Sequence, residues 1–152
     1  MAKIVVGIDG SEHSRAALRW ALHEARLRQV GVLAHHAYSA YPAYGAYSAH
    51  FSPLAGIDIA ASRVDLRSAA TSILADEVAK GFAEVGFEVD VQQRVTESDA
   101  GTALVSSAGA DDLVVVGPRG HGVIASVLLG STSQYVASHA PCPVVVVRAS
   151  TP

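Results

Sequence analysis

The chain has 152 residues, 50% of them hydrophobic, a formal net charge of −3 and one cysteine. That length is one domain's worth, and a domain of this size buries roughly 68–70% of its unfolded surface, so its core needs no disulfide or metal staple. The charge and an isoelectric point near 6.1 argue against nucleic-acid and anionic-membrane partners; no apolar run reaches the roughly 20 residues of a membrane helix; and a lone cysteine permits no intrachain disulfide, which fits a reducing compartment.

Lys3–Ile8 reads as the first strand, with no signal-peptide pattern ahead of it, so a cytoplasmic protein is expected. A helix follows from about Ser11 to Arg28, with Ser11 as its N-cap and Leu18, Ala21, Leu22 and Ala25 on its buried face. Val32–His36 is the second strand. The stretch 38–56 carries no clear element, and Tyr38, Tyr41, Tyr44 and Tyr47 recur in it at every third position. Two readings of it stand: a variable surface insertion, or an aromatic lid or partner patch. A second helix spans about Ile59–Val85, with Leu66, Ile73, Leu74, Val78 and Phe82 inward and Gly86 as its stop. Glu88–Val95 is the third strand and Ala100–Ala108 the third helix. Leu113–Val116 is the fourth strand, Ser131–His139 the fourth helix, and Val144–Val147 the last strand. The alternation predicts a single doubly wound α/β domain with a mostly parallel sheet covered on both faces.

The densest chemical signal follows the fourth strand. Gly117-Pro118-Arg119-Gly120 has glycines three apart, and Gly130-Ser131-Thr132 comes ten residues later at a helix start. Glycines let backbone approach a ligand closely, and N–H groups at a loop and a helix N-terminus attract anions, so the pattern reads as a phosphate cradle. The bland alternative is an ordinary strand-to-helix turn. Arg119 can pair with a phosphate or face water, and His121 has the same two readings. Asp9, ending the first strand, can accept from ribose or adenine, face a magnesium ion, or cap the first helix with Ser11. His35 and His36 are adjacent on a strand and so point to opposite faces, which argues against a shared metal ion. Cys142, between two prolines, reads as a small buried side chain. The P-loop spacing, a Walker lysine and a G-x-S-x-G elbow are not found in the sequence, so no catalytic residue is assigned.

The spacing G-x2-G-x9-G-[ST] resembles the nucleotide-binding signature of the universal stress protein family. The opening Ile4-Val5-Val6-Gly7-Ile8-Asp9-Gly10-Ser11 resembles that family's first strand and acidic turn. His139-Ala140-Pro141-Cys142-Pro143 with Val144–Val147 resembles its closing helix end and strand. The resemblance implies a five-stranded parallel, Rossmann-like sheet of the HUP type in the order 3-2-1-4-5, which brings Asp9 and Gly117 to one crevice. It implies a site for ATP or another adenine nucleotide, with or without magnesium, built from Gly7, Asp9, His36, Gly117, Pro118, Arg119, Gly120, His121, Gly122, Val123, Gly130, Ser131 and Thr132. It also implies a homodimer through Val144–Val147 and a role as a nucleotide-responsive stress factor. Two departures from the pattern stand out: Pro118 lacks an N–H donor, and His36 replaces an apolar residue near adenine. The rival readings are a non-nucleotide interaction module of the same fold, a slow ATP hydrolase, and an enzyme of the wider adenine-nucleotide α-hydrolase-like group. The last needs paired glycines that Asp9-Gly10-Ser11-Glu12-His13-Ser14 does not have.

Overall fold

The computed structural model describes residues 2–39, 63–120 and 129–149. Strands and helices alternate through them as β1 (Ile4–Gly7), α1 (Glu12–Arg28), β2 (Val32–Tyr38), α2 (Arg63–Val85), β3 (Val91–Glu97), α3 (Ala100–Ser107), β4 (Leu113–Val116), α4 (Ser131–His139) and β5 (Val144–Val146). All four strand pairings are parallel, in the order β3-β2-β1-β4-β5. The expected doubly wound sheet and its strand order are both present.

Strand alternation builds the core in two layers. Ile4, Val6, Val32, Ala34 and Val115 face α1 and α2, against Leu18, Leu22, Leu74 and Val78. Val5, Leu33, Val114 and Val116 face the other way, against Leu104 of α3 and Val136 of α4. Leu18, Leu22 and Leu74 are fully buried, and each contributes roughly 1.5–3 kcal/mol of transfer free energy. Because the central strands are covered on both faces, they read as continuous apolar runs.

Helix ends follow local chemistry. Ser11 caps α1, its Oγ accepting from the Ser14 N–H at 3.1 Å, and Gln29 ends the helix in the left-handed region at φ 56°. The turn after α2 uses Gly86 at φ 74°, where the missing Cβ removes the steric cost. Asp99 caps α3 by accepting from the Thr102 N–H at 3.0 Å.

Two strands differ from their expected bounds by two residues or more, and β1, α1, α3 and β5 by a single residue at one or both ends. The third strand runs Val91–Glu97 instead of Glu88–Val95. It is an edge strand, so its only ladder partner sets its extent: Val91 pairs with Val32, where β2 begins, and Glu97 pairs with Tyr38, where β2 ends. For the same reason β2 continues two residues past His36. The buried face of α2 is centred on Ala70, Leu74, Glu77 and Val78, while Leu66, Ile73 and Phe82 are half-buried. Gly81 lets α2 close on α1, since a Cβ there would lie 2.9 Å from Leu18 Cδ2. The α2 residues before Arg63, and the tyrosine-bearing segment beyond Ser39, lie outside the described residues.

An ion pair with a buried carboxylate also ties these helices. Arg15 Nε and Nη2 donate to Glu77 Oε2 and Oε1 at 2.7 and 3.1 Å, and Lys80 Nζ donates to Oε1 at 3.2 Å. Burial alone would raise the Glu77 carboxyl, but these donors outweigh it and hold the group below its ordinary value.

His35 and His36 point into opposite layers. His35, 3% exposed, joins three elements: its Nε2 lies 2.8 Å from Thr96 Oγ1 and its Nδ1 lies 3.1 Å from Ser107 Oγ. Ser107 gives its own proton to the Ala103 carbonyl at 2.8 Å. Nδ1–H is therefore the donor to Ser107, and Nε2 accepts from the Thr96 hydroxyl. In that direction the serine is an acceptor, not a nucleophile activated by a base.

Burial, with Arg94 and His36 adding to it, lowers the His35 pKa from 6.5 to about 4. The folded protein then holds this ring neutral where the unfolded chain protonates it. Stability is expected to fall as pH drops from about 6.5 to about 4, by about 3 kcal/mol in total from this group. Urea unfolding at several pH values checks this, and His35→Gln should flatten that part of the profile. An equally steep profile in the variant would refute it.

Candidate functional site

Strand β1 lies between β2 and β4, and the crossovers on its two sides carry helices to opposite faces. The C-terminal ends of β1 and β4 therefore open one crevice, the switch point where α/β sheets bind ligands. Asp9 follows β1 and Gly117 follows β4. A Cβ placed on Gly120 would sit 2.6 Å from Asp9 Oδ2, so the acidic turn and the glycine loop are in direct contact. The other Asp9 oxygen, Oδ1, accepts from the Ser11 N–H at 2.9 Å. That bond aims the carboxylate, so the capping role and the crevice-facing role coexist.

The loop closes onto α4. The Gly130 N–H donates to the Pro118 carbonyl at 2.7 Å. Ser133 Oγ donates to the same carbonyl at 2.8 Å and approaches the Gly130 carbonyl at 3.0 Å. Gly130 has an ordinary extended backbone and no side chain to cap α4. A Cβ there would meet Arg119 Cα at 3.4 Å and Pro118 O at 3.6 Å, ordinary contact distances that show how closely the loop lies against the start of α4. Ser131 is exposed and Thr132 half-buried in the first turn. The first N–H groups of a helix need partners from outside it, and here they face the side on which the glycine loop is tied.

Pro118 is buried and lacks an N–H, yet its carbonyl anchors the loop. Arg119 is half-buried and Gly120 exposed. Two glycines make room for neighbouring residues: a Cβ on Gly117 would meet His13 Cβ at 2.8 Å, and one on Gly7 would meet Leu104 Cδ1 at 2.9 Å. The Gly7 position thus answers to packing against α3 as well as to any close approach of a ligand to its backbone. His36 Nδ1 lies 2.8 Å from the Ile8 carbonyl. That carbonyl can only accept, so Nδ1 carries the proton, and the side chain braces the end of β1 beside Asp9. His121, Gly122 and Val123 lie outside the described residues.

Sequence reasoning missed two residues here. Ser133 is 2% exposed, and its only signal was a hydroxyl in the first turn of a helix. His13, on the first turn of α1, holds the base of the glycine loop; its Nδ1 is buried and unpartnered. Nothing in the spacing pointed to it.

Chemically, the arrangement combines uncapped helix-start donors, exposed glycine backbone and one aimed carboxylate. Such a set suits a ligand with an anionic end and a hydroxyl-bearing end. Among the described residues no group of three or more His, Cys, Asp or Glu side chains is arranged to hold a metal ion. No helix among them is long and apolar enough to cross a membrane.

Comparison with known proteins agrees with this fold. The model of the universal stress protein family matches residues 1–148. A universal stress protein of Mycobacterium tuberculosis (strain H37Rv) is 36% identical over 149 residues, covering 98% of this chain and 46% of the relative. The chain thus spans about half the length of such mycobacterial relatives. A universal stress protein of Thermus aquaticus is 32% identical, with 95% of this chain and 97% of the relative covered. Among solved structures, the universal stress protein UspA from Lactobacillus plantarum superposes with a TM-score of 0.72 at 24% identity, covering 97% of both chains. A universal stress protein solved in complex with cAMP superposes at 0.65 and 25% identity, covering 98% of both. With the family model matching residues 1–148 and relatives more than 30% identical along nearly the whole chain, the chain belongs to the universal stress protein family.

Proposed function

We propose that this chain binds an adenine nucleotide, with ATP as the expected form, in the crevice outside β1 and β4, and works as a nucleotide-responsive stress factor. One observation carries the reading: the 2.6 Å approach of a Gly120 Cβ to Asp9 Oδ2, which joins an acceptor suited to ribose with a backbone suited to phosphate. Relatives support the ligand class, since family members have been solved with cAMP, with dAMP and, in Arabidopsis thaliana, with AMP.

In this reading Asp9 accepts from a ribose hydroxyl. The backbone of Gly117 through Gly120 and of Gly130 holds the phosphates, and Ser131 and Thr132 donate to them. Pro118 contributes through its carbonyl and not as a donor. Arg119 pairs with phosphate charge. His121, Gly122 and Val123 join by the family pattern. Gly7 and His36 line the adenine side through backbone, since the His36 ring is engaged with Ile8. Magnesium binds through one or two carboxylates plus phosphate oxygens, and Asp9 is the carboxylate beside the loop that fits this. The setting we assign is the cytoplasm.

Gly120→Ala forces Asp9 away from the loop, so titration calorimetry with ATP and AMP should show affinity reduced by about tenfold, or about 1.4 kcal/mol; parental affinity in this variant would sink the assignment.

We also propose a homodimer through β5. The Pro143 carbonyl and the Val147 N–H bond to β4. By alternation the N–H groups of Val144 and Val146 point away from the sheet, as an open edge. Val146→Pro removes an outward donor and leaves the ladder with β4 intact. The parent is expected to sediment as a dimer at micromolar concentration and Val146→Pro as a folded monomer. A monomeric parent, or a dimeric variant, would exclude this interface. Val145→Lys is a poorer probe, because Val145 packs on the α1–α2 core.

A further inference from the structure

We infer that Ser133 is a positioning residue for the phosphate end of this site, and that it sets the preference for nucleotide over nucleoside; the inference rests on the adenine-nucleotide reading above. Ser133 is 2% exposed, so it is not itself a surface contact for a ligand. Its hydroxyl proton lies between two carbonyls, Pro118 O at 2.8 Å and Gly130 O at 3.0 Å. The Pro118 oxygen also accepts the Gly130 N–H at 2.7 Å. One carbonyl of the glycine loop therefore takes two donors from the start of α4.

This has a directional consequence. A trans peptide is planar, with its C=O and N–H opposed. Turning the Pro118 oxygen onto α4 fixes the direction of the Arg119 N–H that follows it. It also keeps a partial negative charge engaged at the place where an anion is to be held. The same two bonds set the distance between Gly120 and the first turn of α4, since Gly120 N lies 3.9 Å from where a Gly130 Cβ would be. The adenosine end, by contrast, is framed by β1 and β2 and does not pass through Ser133. Loss of the Ser133 hydroxyl leaves a carbonyl with one donor and a loop with a second allowed orientation. Phosphate binding then suffers while nucleoside binding does not.

The test is titration calorimetry of the full chain with adenosine, AMP and ATP, on the parent, Ser133→Ala, Ser133→Cys and Ser133→Thr. Cysteine keeps the volume with a much weaker donor, and threonine keeps the hydroxyl. The expected result is adenosine affinity within about twofold of the parent in all variants. ATP and AMP affinity should fall about three- to tenfold in Ser133→Ala and Ser133→Cys, the range of one net hydrogen bond, and recover in Ser133→Thr. Amide hydrogen exchange of Gly130 should quicken in the two weakened variants. An equal loss for adenosine and ATP would reduce Ser133 to a structural residue and overturn the inference, as would unchanged nucleotide affinity in Ser133→Ala. A parent that binds adenosine but gains nothing from phosphate would overturn it while leaving the crevice in place. A parent that binds none of the three would overturn the functional reading, and this inference with it.

Discussion

The parallel pairing of β1 with β4 is the constraint on which the rest depends. Val5 against Val114 and Val6 against Val115 are fully buried pairs, and they join strands separated by most of the chain. Their register carries Asp9 and the Gly117 loop to the same level at the end of the sheet. No contact within either segment could do so. The strands are held by apolar burial on both faces, so the rigid part of the molecule is water-poor, and polar chemistry is displaced to the strand ends. The Asp9 carboxylate is then aimed by a single local bond to Ser11, and the loop by its bonds to α4. The hydrophobic layers supply position and short-range hydrogen bonds supply orientation.

The central sheet was legible in the sequence because β1 and β4 are covered on both sides and leave continuous valine-rich runs, and β2 opens on the apolar Val32-Leu33-Ala34. The edge strand β3 was legible only as an element. Gln92, Gln93 and Arg94 are exposed, so no apolar pattern marks its limits, and the length of its neighbour decides them. The inward face of α2 was legible in part, with Leu74 and Val78 in the core and Phe82 packed against it. The contact with α1 also uses the small Gly81 and the charged Glu77, which a hydrophobic pattern cannot find.

The candidate site divides in the same way. The glycines and Asp9 could be read from spacing because their chemistry is carried by residue type. The role of Pro118 could not. Its missing N–H is visible in sequence, but the use of its carbonyl depends on Ser133, fifteen residues later. His36 likewise looked like a departure beside the ligand, and its ring instead finds the Ile8 carbonyl across the sheet. Hydrogen bonds between distant segments leave no mark in local pattern, and these are the bonds that shape the loop.

The Arg15–Glu77 pair has a consequence for how this chain can vary. Glu77 is 4% exposed, so losing Arg15 alone would strand a buried carboxylate with, among the described residues, only Lys80 to answer it, whereas the Arg15 side chain is 39% exposed, so losing Glu77 alone leaves a guanidinium that water still reaches. A buried charge left without its partner is strongly destabilising, whereas a charge that reaches water is screened and loses little. The two positions are therefore tied in one direction: Arg15 resists drift while Glu77 stands, and a lineage that leaves this state is expected to give up Glu77 first or pass through a weakened intermediate.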